Sequence, residues 1–325
     1  MRKAKIYYAL AKELEDCERF SESYKIRQLG AEVYRKSLNY NLNDELNFIR
    51  AIKQTYTAQT LKEKKERQAT ELESNKPIFV VGLPRTGTTL LERIVSSHSK
   101  VTSAGELTHF NRLMSAGMDQ LGLVPQLSRS EMVSESTKLD FVQLGKQYLE
   151  ATKALVGKKE HFIDKLPQNS LYIGLIHLAL PKAKVLLLER HPLDVCYSVY
   201  KQLFTDAFHF SYDLEELADY YHEHQLLMAH WQKELPNVVK TVRYEALVNN
   251  LEDNAKAVID FCGLDWEESC LEFHKNKQAT TTASASQVRQ KVYSSSIGMW
   301  KNYKNELQPL ISKLEAYGCL EGWEY

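Results

Sequence analysis

The sequence predicts an α/β protein: a parallel sheet flanked by helices, preceded by a short all-α segment. Three observations predict it. Residues 1–75 lack proline, hold one glycine, Gly30, and carry apolar residues at helical spacing. From Pro77 onward, short apolar runs alternate with helical patterns. The first of those runs, Ile78-Phe79-Val80-Val81, passes directly into Gly82-Leu83-Pro84-Arg85-Thr86-Gly87-Thr88-Thr89. That is a strand, a tight glycine-bounded loop and a helix start.

In the first segment, Leu10, Leu14 and Cys17 recur at helical spacing, and Tyr24, Leu29 and Val33 do so more loosely. Two or three helices are expected. The charged stretch LKEKKERQATELESNK then leads to Pro77 as a solvated helix or linker, so the domains divide into 1–75 and 76–325. Uninterrupted β-branched and aromatic residues make Ile78–Val81 a strand buried on both faces. Lys100–Ser103, His161–Ile163, Val185–Leu188 and Val238–Val242 are read as four more strands. Helices are expected over Leu90–Ser97, Asp140–Leu155, Ser170–Leu180, Leu193–Phe204, Asp213–Leu235 and Leu251–Cys262. Ligands of such sheets bind beyond the carboxyl ends of the strands. Just past those ends stand the Arg85 loop, Glu106, Lys165, Arg190 and Tyr244.

The bulk composition excludes several classes. A chain of 325 residues suits one large α/β domain plus a smaller unit. Lys+Arg and Asp+Glu are both 42, so no global field favours nucleic acid or an acidic membrane. The five cysteines, Cys17, Cys196, Cys262, Cys270 and Cys319, form no CxxC pair and suit free thiols in a reducing compartment. Acids appear too early for a signal peptide, and no apolar run approaches the ~20 residues of a membrane span. A soluble cytoplasmic protein is expected.

The loop is built for an anion. Backbone N–H groups from Thr86 to Leu90, the positive end of the helix dipole, the Thr88 and Thr89 hydroxyls and the Arg85 guanidinium can converge on one phosphate. The spacing of Gly82 and Gly87 fits the nucleotide-hydrolase pattern GxxxxGK[ST], and Thr89 holds its Ser/Thr position. Thr88, however, replaces the lysine that reaches the outer phosphates. No strand ends in an acid suited to magnesium; Asp164 comes nearest, and Lys165 beside it argues against that role. A ligand with one phosphate here and a reacting group next to it fits better, with no metal.

The stretch PIFVVGLPRTGTTLLERIVSSHSKV resembles the 5′-phosphosulfate loop of sulfotransferases that use 3′-phosphoadenosine 5′-phosphosulfate (PAPS). The nearest varieties are the bacterial sulfotransferases with tetratricopeptide helices in front and the tyrosylprotein sulfotransferases. KVLLLERHPLDVCYSVYKQLF resembles their 3′-phosphate segment, which implies Arg190 and Ser198 as 3′-phosphate ligands. VRYEALV resembles the block whose tyrosine, here Tyr244, contacts the nucleotide. TTASASQVRQKVYSSSIGMWKNY resembles the late loop over the nucleotide and implies contacts from Ser284, Gln287, Arg289 and Lys301. Ala11, Leu14, Phe20, Ser23, Tyr24 and Gly30 resemble one tetratricopeptide unit, against the simpler reading of a plain helical hairpin.

The resemblance implies transfer of a sulfuryl group from PAPS to an acceptor hydroxyl on a peptide tyrosine, a saccharide or a small alcohol, leaving 3′,5′-adenosine bisphosphate (PAP). It implies Glu106 as base, in a Gly-Glu pair after the loop. It also implies Lys165 at the leaving oxygen, with Arg85 stabilising the same charge. His109 is the rival base, and Glu106 could instead cap the following helix. A P-loop nucleotide kinase and a non-catalytic PAP-binding scaffold are the alternatives. The N-terminal helices are the candidate surface for a protein partner or self-association.

Overall fold

A five-stranded parallel sheet carries the α/β architecture in this computed structural model, which describes residues 1–66, 76–122, 127–276 and 297–323. The helical front contains α1 (Arg2–Asp16), α2 (Phe20–Arg35), α3 (Leu42–Thr55) and α4 (Ala58–Glu66). Then follow β1 (Lys76–Gly82), α5 (Thr88–Ser96), β2 (Val101–Ser103), α6 (His109–Gln120), α7 (Arg129–Glu135), α8 (Phe141–Val156), β3 (His161–Asp164) and α9 (Ile173–Ala179). The remainder is β4 (Lys184–Glu189), α10 (Pro192–Tyr200), α11 (Leu214–Glu234), β5 (Val239–Arg243), α12 (Tyr244–Asn249), α13 (Leu251–Phe261) and α14 (Gln308–Ala316).

The strand order is β2-β3-β1-β4-β5, with every pairing parallel. β1 is central. Ile78, Phe79, Val80 and Val81 are completely buried, which is why that run carries no polar residue. Phe79 stands opposite Asp164 of β3, Gly82 opposite Leu188 of β4, and Ser103 of β2 opposite Ile163. Hence the loop after β1 and the residues after β2 and β3 leave the same edge of the sheet. All five expected strands form, each within a residue or two of its expected limits.

The chain divides into two compact units. One comprises Phe48–Glu189 and Leu227–Ser294 and holds the whole sheet. The other comprises Met1–Asn47, Arg190–Leu226 and Ser295–Tyr325. The domain boundary expected at 75 adjoins residues 67–75, outside the described residues.

In the second unit, α1 and α2 pack as a hairpin. A Cβ on Gly30 would lie 2.9 Å from Tyr7 Cβ, so the helices approach where only glycine fits. This close approach corrects the expected apolar face. Ala4, Tyr8, Ala11, Ala31 and Tyr34 are buried, while Leu10 and Leu29 are both 45% exposed. Small residues and flat rings fill a narrow interface that leucines would force apart.

The hairpin also tends the end of α10. A helix leaves its last carbonyls without internal donors. Tyr8 Oη donates to Tyr200 O at 3.3 Å and Arg27 Nη1 to the C-cap Lys201 O at 3.2 Å, while Tyr34 Oη reaches Thr205 O in the segment beyond the helix at 2.7 Å. Glu15 accepts from Lys201 Nζ at 2.7 Å, Tyr303 Oη at 2.8 Å and Arg27 Nη2 at 3.1 Å. Burial alone would raise the Glu15 carboxyl, but Lys201, Tyr303 and Arg27 outweigh it and hold the group below its usual range.

Arg27 is 2% exposed, so Arg27→Met keeps most of the stem volume and removes the buried charge. The expected loss is about 3 kcal/mol, read as a lower urea midpoint at an unchanged slope. An unchanged midpoint would show that the network adds nothing to stability.

Candidate functional site

The loop between β1 and α5 has both of its glycines enforced by neighbours. Gly82 has φ 145°, and a Cβ there would meet Leu188 O at 2.6 Å. Gly87 has φ 103°, and its Cβ would meet the Tyr244 ring at 2.5 Å. Tyr244, at the start of α12, therefore lies against the loop that its sequence context associates with a nucleotide. Arg85 is half-buried and takes the left-handed conformation at φ 71°.

The anion cradle is narrower than the spacing implies. Thr86 turns both donors inward: its hydroxyl reaches Leu83 O at 2.8 Å and its N–H the same oxygen at 3.4 Å. The Leu90 N–H closes the first helical turn on Gly87 O at 2.9 Å. Thr86 and Leu90 therefore direct these donors into the loop and the helix turn. The N–H groups of Gly87 and Thr88 make no hydrogen bond among the described residues. They stand at the N-terminus of α5, whose first two residues are Thr88 and Thr89. Two amides, two threonines and Arg85 suit one tetrahedral anion.

Beside the loop, the sheet edge brings a cation and a carboxylate together. Lys165 follows β3 and is 1% exposed, yet Nζ forms a hydrogen-bonded ion pair with Glu106 Oε1. Glu106 reaches it from a turn after β2 in which Gly105 has φ 76°. Three hydrogen bonds stitch that turn to β3. Ala104 N donates to Ile163 O at 2.9 Å, Lys165 N to Gly105 O at 2.9 Å, and Leu107 N to Asp164 Oδ1 at 3.4 Å. Glu106 lies outside any helix and keeps a side chain 43% exposed. His109 is the first residue of α6, and its Nδ1 is buried with no partner among the described residues.

Asp164 is wholly buried and accepts from Tyr148 Oη at 2.8 Å. Burial drives its carboxyl up to about 7, against the opposing pull of its hydrogen bonds and of Lys165. Its oxygens serve Tyr148 and Leu107. Sequence reasoning missed this role, and missed Tyr148 altogether. It also missed Glu92, whose only signal is one acid inside the apolar run TTLLERIV.

Arg190, Ser198 and Lys301 belong to the other unit. Arg190, 8% exposed, directly follows β4. His191 caps α10 by accepting the Leu193 N–H on Nδ1 at 3.3 Å, and its ring stacks on Trp300. Ser198 is half-buried on α10. Gly298 N donates to Asp194 Oδ2 at 2.8 Å, which ties the segment bearing Lys301 to that helix. Lys301 itself is exposed, with Nζ 5.8 Å from the Trp300 ring centre. Ser284, Gln287 and Arg289 lie outside the described residues. Among those described, no three His, Cys, Asp or Glu gather as a metal site requires, and no helix is long and apolar enough to cross a membrane.

The site thus joins a glycine-bounded loop on a parallel sheet to a lysine–glutamate pair at the same edge. The sequence profile of the sulfotransferase family matches residues 77–268, and the chain belongs to that family. An uncharacterized protein of Aquifex aeolicus is 32% identical over 314 residues, covering 95% of this chain and 41% of its own length. The chain thus spans less than half of that relative. The sulfotransferase domain from the Curacin biosynthetic pathway aligns with a TM-score of 0.53 at 18% identity, over 78% of this chain and 99% of that one. The sulfotransferase domain of the Synechococcus PCC 7002 olefin synthase aligns with a TM-score of 0.51 at 19% identity, over 77% and 98% respectively. At these identities the two structures show a shared fold.

Two outcomes test the geometry. Gly87→Ala is expected to destabilise the protein by about 2 kcal/mol or more, from backbone strain and the clash with Tyr244. Tyr244→Ala in that background should recover part of the loss; full additivity would exclude the contact as the cause. The second concerns Asp164, whose folded value lies above its unfolded 3.8. The folded state then holds the proton more tightly, so stability falls as pH rises from about 4 to about 7 and is level above that. Asp164→Asn should remove up to about 1.4 kcal/mol of this dependence per pH unit, seen by urea unfolding across the window. Parallel curves for both proteins would contradict it.

Proposed function

We propose that the protein transfers a sulfuryl group from PAPS to an acceptor hydroxyl, with Glu106 as the base. The observation that carries this reading is the buried Lys165 paired with Glu106 beside an anion loop that lacks its own lysine. Membership of the sulfotransferase family supports it. PAPS is a substrate here, and it supplies the sulfuryl group on a phosphate leaving group.

The chain's residues divide the work. The Gly87 and Thr88 amides, the two threonine hydroxyls and Arg85 hold the 5′-phosphosulfate. Arg190 and Ser198 hold the 3′-phosphate, Tyr244 contacts the nucleotide, and Lys301 contributes a further cation. Glu106 takes the proton from the acceptor hydroxyl as its oxygen bonds to sulfur. The bond from sulfur to the bridging oxygen breaks, and Lys165 and Arg85 stabilise the charge left on the 5′-phosphate. Positioning and electrostatics supply the acceleration, as in phosphoryl transfer.

The test uses labelled PAPS with three acceptors: an acidic tyrosine peptide, a chito-oligosaccharide and 4-nitrophenol. Sulfation of at least one is expected. Glu106→Gln should cut turnover roughly a hundredfold or more, and Lys165→Ala similarly, with PAP binding near normal for both. PAP should raise the Tm well above the shift given by ADP, which has no 3′-phosphate. Equal shifts would remove Arg190 and Ser198 from the proposal. Transfer from Mg-ATP with no response to PAPS would replace it with a kinase.

A further inference from the structure

We propose that Glu92 is a positioning residue for the Glu106 turn, acting through the Ser103 hydroxyl. This rests on the reading of Glu106 as base. Glu92 lies on α5, the helix whose N-terminus forms the anion cradle, and is 6% exposed. Its neighbours Leu91, Ile94 and Val95 are completely buried. A carboxyl in such company is costly to desolvate, and an apolar residue would stabilise the helix better. Its presence calls for a purpose other than packing.

The hydrogen bonds supply one. Ser103 Oγ donates to Glu92 Oε1 at 2.5 Å. The same Ser103 Oγ accepts the Gly105 N–H at 3.1 Å. The chain therefore runs in one sense, from the Gly105 amide through the serine to the acid. Gly105 is the left-handed residue that sends Glu106 towards Lys165, and its Cβ position is open, with no atom beyond its chain neighbours within 4 Å. No neighbour packs against the Cβ position of Gly105, so the hydrogen bonds of the turn hold that residue in place. Asp164, Lys165 N and Ile163 O hold it on the β3 side. Glu92 and Ser103 hold it on the α5 side.

The link joins the helix of the anion cradle to the backbone of the base. In-line transfer requires a fixed distance between the donor's sulfur and the acceptor oxygen that the base serves. A direct tie between the two supports is the simplest way to keep that distance. Burial also raises the Glu92 carboxyl, opposed by Lys165 and the Ser103 hydrogen bond. The second oxygen, Oε2, is buried with no partner among the described residues.

The test is a set of variants assayed with labelled PAPS and the most rapidly sulfated of the three acceptors above. Glu92→Leu and Ser103→Ala should each lower kcat roughly tenfold to a hundredfold, with KM for PAPS and the PAP-induced Tm shift nearly unchanged. Glu92→Gln keeps an acceptor for Ser103, and Ser103→Thr keeps the hydroxyl, so both should retain most of kcat. The double variant Glu92→Leu/Ser103→Ala should be no slower than the worse single one, because both break the same chain. Wild-type kcat in Ser103→Ala, or multiplied losses in the double variant, would overturn the proposal. Ser103→Ala leaves the helix untouched, so it decides the matter even if Glu92→Leu fails to fold. Full activity in Glu106→Gln would instead overturn the base assignment itself.

Discussion

The site depends on the parallel register of β1 between β3 and β4. That register puts Gly82 beside Leu188 and Phe79 beside Asp164, so the loop, the lysine and the glutamate turn leave the sheet at one edge. It also dictates residue type. Leu188 O lies 2.6 Å from where a Cβ of residue 82 would be, so the neighbouring strand enforces the first glycine and no ligand need be invoked for it. The second glycine is enforced by the Tyr244 ring. The loop sequence is thus written partly by β4 and α12, far away along the chain.

The same edge explains the absent loop lysine. Thr88 stands in its place, and under the proposed function the cation is Lys165, which directly follows β3. A lysine so deeply buried needs a counter-charge, and Glu106 supplies it. The two residues therefore depend on each other before any substrate arrives. A loop lysine would move with α5, whereas Lys165 is set by β3 and by the turn bonded to it.

The strands were legible because their signal is local. A run buried on both faces has nowhere for polar residues, and Ile78–Val81 shows this directly. Glu106 and Lys165 could be named as partners in one site because both follow strands of one sheet. What escaped depends on contacts between distant segments. Leu10 and Leu29 looked like core, but the approach at Gly30 selects Ala4, Ala11 and flat rings instead. Nor does the spacing show that both Thr86 donors meet Leu83 O within the turn. The grouping of residues 1–47 with 190–226 rests on side chains such as Arg27 and Tyr34 reaching carbonyls over 170 positions away, which no window of sequence contains.

Arg85 adopts a backbone conformation that costs an ordinary residue roughly 1–2 kcal/mol. Asparagine or glycine would sit there with less strain, and neither carries a charge. Lysine would keep the charge at the same strain, without the planar fork. On its proposed role, no single residue satisfies both the backbone and the anion, so position 85 is a compromise. Its strain belongs to the free energy of folding and is already met when a substrate arrives. On the role proposed for Arg85, a variant that relaxed the loop would be steadier on heating and slower in turnover, so thermal stability alone would be a misleading guide to improving this protein.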